Sequence, residues 1–193
     1  MTKRKRLSNE TESNECEYED ITTVENNIYF YCDVSRETVL KLNTMLNKLS
    51  NDVKNNKLSN QYDHINLYIM SDGGELYAGL SAMNYISNMD IHINTIIDGF
   101  VASAASLIAL GGHEVWMQKH SMLLIHQLST GFSGKYQEFK DENKNNKLVM
   151  KILKNIYLSK TKIPKKILKQ YFSRDIHLDS ETCLKYNIIN GVF

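Results

Sequence analysis

The sequence predicts an α/β fold built around a mostly parallel sheet. Runs rich in β-formers alternate with amphipathic helical runs, the connections between them are short, and no segment repeats internally. At 193 residues the chain reads as one domain, long enough to bury a core without covalent staples. Residues 1–25 are polar and lack periodicity, and are expected to form a disordered arm; the folded domain is expected over residues 26–193.

The elements follow in order. Residues 28–33, IYFYCD, read as a strand. Ser35, with Glu37 and Thr38 behind it, opens a helix whose apolar stripe is Val39, Leu42, Leu46 and Leu49. Residues 65–70 form a second strand, SDGG follows, and a helix is expected over about residues 76–88. A third strand covers residues 91–97, and DGFVAS leads from it into a small-residue helix that stops at Gly111 and Gly112. EVWM and SMLLIHQ read as further strands, and STGFSG as a flexible segment. A long charged helix is expected from about residue 135 to residue 159, with Leu148, Ile152, Ile156 and Leu158 as its apolar residues. Pro164 starts the next helix, KKILKQYF. A short helix near residues 180–186 and IINGVF close the chain.

Composition narrows the function. Apolar residues make up 42% and charged residues 23%, with a net charge of +1, so no single-sign field points to nucleic acid or a membrane surface. No apolar run is long enough to span a bilayer, and the N-terminus lacks the apolar region of a secretory signal. Cys16, Cys32 and Cys183 show no paired spacing, which fits a reducing soluble compartment such as the cytoplasm and favours neither disulfides nor zinc. No metal or other cofactor is expected; His113 and His120 lack a third ligand nearby.

In an open α/β sheet the chemistry lies in loops at the carboxyl ends of strands. Two such loops stand out, SDGG and DGFVAS. Ser103 sits where a strand hands over to a helix, beside backbone N–H groups that can hold an oxyanion, and its neighbours Ala102, Ala104 and Ala105 are small. The plain alternative for such a serine is a helix N-cap. Gly73 and Gly74 offer further N–H groups, though paired glycines after a strand are more often a simple turn. His126 ends a hydrophobic strand and suits a general base; it is one of six histidines. Asp175 and Asp179 are equally available as an acid, and each also reads as a loop residue or cap. From these residues alone the chain is a serine hydrolase on an α/β scaffold with its base and acid still open; G-x-S-x-G is absent.

Four segments in one order make the pattern specific. INLYIMSDGGELYAGLSAMNYI resembles the ClpP-like family's strand, S-P-G-G and following helix. DGFVASAAS resembles its G-x-A-A-S-M-G-A, SMLLIHQL its R-x-M-I-H-Q-P, and SRDIHLDSETCLKYNIING its terminal R-D and Y-G-L-V-D segment. The resemblance covers roughly residues 26–193. It implies a ClpP/crotonase-like fold of repeated βαβ units with a protruding handle helix after Lys135. It also implies a serine endopeptidase with Ser103 as nucleophile, His126 as base and Asp175 as the acid that orients the base. Oxyanion-hole amides would come from Gly74 and Ala104, and substrate contacts from Gly73, Leu76, Gly131 and Phe132. The implied partners are polypeptide substrates, further copies of the chain in two stacked seven-membered rings, and an ATP-dependent unfoldase.

This sequence departs from the family pattern at Asp72 and Leu128, where prolines are usual, and at Val101, Ala105 and Ser173. Ser173 stands where an acid is expected to pair with an arginine across the rings. Two other functions compete: a structural ring subunit that modulates an active paralogue, and a crotonase-type enzyme acting on acyl thioesters.

Overall fold

The computed structural model describes residues 21–55 and 62–193. The described chain enters as a hairpin: β1 (Ile21–Val24) pairs antiparallel with β2 (Asn27–Phe30) across a turn at Glu25, φ 55°. Residues 21–25, expected at the end of a disordered arm, instead form this strand and turn. Of the four strand residues only Ile21 is buried, so the sequence carries almost no periodicity there. The rest of the expected arm, residues 1–20, lies outside the described residues.

Helix α1 (Arg36–Lys54) begins as expected. The Ser35 hydroxyl accepts the Thr38 N–H at 3.1 Å, and the Thr38 hydroxyl accepts the Ser35 N–H at 2.9 Å. Such a cap contributes about 1 kcal/mol. Val39, Leu42, Leu46 and Leu49 are all buried, each stabilising by roughly 1.5–3 kcal/mol relative to exposure. Next come β3 (His64–Ser71), α2 (Leu76–Ser87), β4 (His92–Ala102), α3 (Ala104–Ala109), β5 (Glu114–Met117) and β6 (Met122–Leu124). The long helix α4 (Tyr136–Lys160), α5 (Lys165–Ser173), β7 (His177–Leu178), α6 (Ser180–Lys185) and β8 (Gly191–Val192) complete the chain.

The strands form one eight-stranded sheet among the described residues, with β1-β2-β3-β4-β5-β8 as its main path. From β2 to β8 every neighbouring pair is parallel, as the strand and helix alternation predicts. Three strands depart from the expected boundaries: β2 stops at Phe30 and β6 covers only Met122–Leu124, both shorter than expected, whereas β4 continues through DGFVA instead of ending near residue 97. The first half of β4 pairs with β5 through residues 94–97, and its last three residues pair with β6. Gly99, at φ 70°, lies between the two halves, and its N–H donates to the Ser121 hydroxyl at 2.7 Å. A glycine there makes the bend without steric cost. β7, which no sequence pattern marks, pairs antiparallel with β6.

In α4 the buried residues are Val149, Leu153 and Tyr157. The expected apolar residues Leu148 and Ile152 are 58% and 43% exposed. One residue is 100° around a helix, so a stripe beginning at residue 149 points away from one beginning at residue 148.

Candidate active site

Ser103 stands between the last residue of β4 and the first of α3, with φ 54° and ψ −125°. A positive φ in this sparsely populated region costs a non-glycine residue on the order of 1–3 kcal/mol, and such strain concentrates at functional sites. The packing around it holds it there. The Ser103 N–H donates to the Leu124 carbonyl at 3.0 Å, which ties the turn to β6. Gly73, at φ 100°, lies against it so closely that a Cβ on Gly73 would fall 2.7 Å from the Ser103 Cβ and 2.8 Å from the Ala102 carbonyl. Ala102, Ala104 and Ala105 are buried around the turn. The Ser103 side chain makes no capping hydrogen bond to α3. The helix-cap alternative therefore does not account for this serine.

The second loop is fixed from the other side. Val34 donates its N–H to the Gly73 carbonyl and accepts the Glu75 N–H, both at 2.7 Å. These bonds bracket Gly74, whose φ is 141°; a Cβ there would collide with the Val34 carbonyl. The N–H groups of Gly74 and Ala104 meet no acceptor among the described residues. Both residues line one cleft with Ser103 and His126. The cleft holds about 370 Å³.

His126 reaches the cleft because β6 runs parallel to β4, with Ala102 opposite Leu124. Two residues on, the half-buried His126 follows the strand, and the Gln127 N–H is anchored on the Phe172 carbonyl at 3.0 Å. Asp175 is placed differently. β7 pairs antiparallel with β6 only as far as Leu124 opposite His177, and Asp175 precedes that pairing in the segment between α5 and β7. The carboxylate itself is exposed, does not line the cleft, and makes no hydrogen bond or ion pair among the described residues. Asp179 instead serves the fold, since its carboxylate accepts the Thr182 N–H at 2.9 Å as the N-cap of α6. The Thr182 side chain first, and then this backbone hydrogen bond, hold its pKa below the ordinary carboxylate value. His113 packs against His92 and accepts the Ile93 N–H, away from the cleft. Burial, and secondarily His92, lower its pKa.

Of the expected substrate contacts, Leu76 lines the cleft and Gly73 abuts the nucleophile turn. Gly131 and Phe132 do not line it; Phe132 turns its ring edge-on to Phe139 at the start of α4, and Ser129 and Thr130 form the wall instead. Sequence reasoning missed the other wall: Leu107 and the α4 residues Glu142, Asn146, Val149, Leu153 and Tyr157. The 149, 153, 157 spacing was its only signal. Among the described residues no cluster of His, Cys, Asp and Glu is placed to hold a metal, and no helix is long and apolar enough to cross a membrane.

Comparison with known proteins gives a consistent result. A family model for Clp protease matches residues 24–193. The chain is similar to three ATP-dependent Clp protease proteolytic subunits. That of Deinococcus radiodurans is 30% identical over 135 residues, 69% of this chain and 66% of that protein. The Mesostigma viride protein is 27% identical over 125 residues, 64% and 55% of the two chains. The Pinus contorta protein is 25% identical over 163 residues, 75% and 78%. The match thus spans just under two thirds of the first of these relatives and about half of the second.

Proposed function

The chain belongs to the Clp protease family, and on that premise we propose that it is a proteolytic subunit, a serine endopeptidase that hydrolyses unfolded polypeptides or short peptides. One observation carries the reading. The Ser103 hydroxyl is presented on a left-handed strand-to-helix turn, unspent on capping, in the cleft that also holds His126 and the unmatched N–H groups of Gly74 and Ala104.

In this reading the Ser103 hydroxyl attacks the scissile carbonyl while His126 takes its proton. The carbonyl oxygen gathers negative charge and is met by the two N–H groups. His126 then protonates the leaving amine, leaving an acyl-enzyme. Water, deprotonated by the same imidazole, releases the acid and restores the serine. Asp175 would orient the imidazole and stabilise its cation; the support for it is the terminal-segment resemblance and its position two residues before β7, the strand that pairs with β6 ahead of His126. Ser103→Ala should abolish peptide hydrolysis without changing the fold, since triad members act as a unit. Activity near wild type in that variant would end the assignment.

The implied assembly is homo-oligomeric, two stacked seven-membered rings fed by an ATP-dependent unfoldase. The exposed Leu148 and Ile152 on α4 support association through that helix. A second reading, a catalytically silent ring subunit, is favoured by one observation: the Asp175 carboxylate does not contact His126 in the single chain. Turnover by purified assemblies of this chain alone separates the two, because a silent subunit stays inactive without a paralogue.

A further inference from the structure

Beside the nucleophile turn lies a chain of hydroxyls that the proposed triad does not use. The Ser103 carbonyl accepts two bonds from Ser106, one from its N–H at 3.1 Å and one from its hydroxyl at 2.5 Å. The Ser106 hydroxyl also meets the Tyr157 hydroxyl at 2.6 Å. Ser106 has a single hydroxyl proton, already given to the carbonyl, so Tyr157 is the donor in the second contact. Both side chains are buried, and Tyr157 comes from a different element, α4. Burial pushes the Tyr157 phenol up to about 12, so it stays protonated at any ordinary pH.

The peptide unit joining Ser103 to Ala104 is planar and trans, so its C=O and N–H point in opposite directions. Drawing the carbonyl toward the Ser106 hydroxyl turns the Ala104 N–H the opposite way, away from that hydroxyl. That N–H meets no acceptor among the described residues, and Ala104 lines the cleft. α3 has only six residues, and the one backbone bond to the Ser103 carbonyl at its head, among the described residues, is from the Ser106 N–H at 3.1 Å, so the Ser106 hydroxyl is its second anchor.

We propose that Ser106 and Tyr157 are positioning residues: their linked hydroxyls fix the Ser103 carbonyl and thereby aim the Ala104 N–H at the oxyanion. The inference rests on Ser103 being the nucleophile. It assigns to α4 a part in the chemistry, since the residue that ends the relay is on that helix. The aromatic ring of Tyr157 has a separate packing role, edge-on to Phe172 at 5.6 Å, which phenylalanine would preserve.

The test uses the full-length chain with Tyr157→Phe, Ser106→Ala and the double variant, which leaves no orphaned hydroxyl. Three quantities are read: kcat and KM on a short fluorogenic peptide, inhibition by a peptide boronate that mimics the tetrahedral intermediate, and labelling of Ser103 by a fluorophosphonate. A donor aimed at the oxyanion acts on the transition state, so kcat should fall about 10-fold or more while KM changes by less than about 2-fold. Boronate affinity should fall in parallel with kcat. Wild-type kcat in the variants, or a loss confined to KM, overturns the proposal. Should Tyr157→Phe fail to fold, Ser106→Ala decides alone. Normal labelling of Ser103 in wild type with unaffected variants overturns only this inference. Absence of labelling in wild type overturns the nucleophile assignment and this proposal with it.

Discussion

Ser103 and Gly73 touch across the site, and neither tolerates much change. A methyl on Gly73 would meet the Ser103 Cβ and the Ala102 carbonyl while also forcing alanine to φ 100°. Gly73→Ala should therefore lower peptidase activity by displacing the nucleophile turn; wild-type turnover in this variant would mean the turn is more adaptable than its packing implies. The two acids separate in the same way. Asp175→Asn should cost about 10⁴-fold in kcat if Asp175 orients His126. Asp179→Ala should leave kcat nearly unchanged but remove the α6 cap, costing about 0.5–2 kcal/mol in a denaturant titration at neutral pH. The Asp179 pKa is depressed from 3.8 in the folded state. The stability it adds is thus present above about pH 4 and is lost as pH falls further, where wild type and Asp179→Ala should converge. At this scale residue pattern alone left Asp175 and Asp179 equivalent and only the resemblance chose Asp175; what the structure adds is that Asp179 is engaged as the α6 cap. Ser103 and His126 were legible as candidates, since a strand end and a helix start can be read from periodicity.

Among the elements, α4 shows where reading stops. Its length and position were legible; its buried face was not. Val149, Leu153 and Tyr157 pack inward while Leu148 and Ile152 remain exposed. Both stripes are apolar in the sequence, and only the docked helix shows which one meets the core. Leu153→Ala should destabilise the subunit by about 2–5 kcal/mol, as core truncations do. Leu148→Asp with Ile152→Asp should leave subunit stability within about 0.5 kcal/mol but reduce the assembled mass in analytical ultracentrifugation. The opposite pattern would mean that these faces are exchanged in the assembly. The early end expected for β4 has a related cause. DGFVA looks like a loop because of Gly99, yet that glycine is the bend at which the strand changes neighbours from β5 to β6. The bend brings β6, and with it His126, beside Ser103.

For the whole molecule, the parallel sheet and the cleft at its carboxyl edge follow from the alternation of elements. The closing of that cleft by α4 does not, since it depends on contacts between segments some 50 residues apart, such as Ser106 with Tyr157. Assembly adds one more consequence. Ser173 spends its hydroxyl on the Lys169 and Gln170 carbonyls within α5, and Ser173 and Arg174 are both exposed. If rings of this chain stack, each subunit lacks the acid at position 173 that would pair with Arg174 across the rings, a pair worth about 0–1 kcal/mol that is multiplied around a ring. Ser173→Asp should then shift single rings toward double rings; unchanged, salt-resistant double rings in both proteins would remove that expectation. The central claim, that Ser103 is a nucleophile activated by His126, is tested most directly by fluorophosphonate labelling with the modified residue mapped by mass spectrometry. Wild type should carry the label on Ser103, and His126→Ala, correctly folded, should carry almost none. An unlabelled Ser103 in wild type, or equal labelling in His126→Ala, would contradict it.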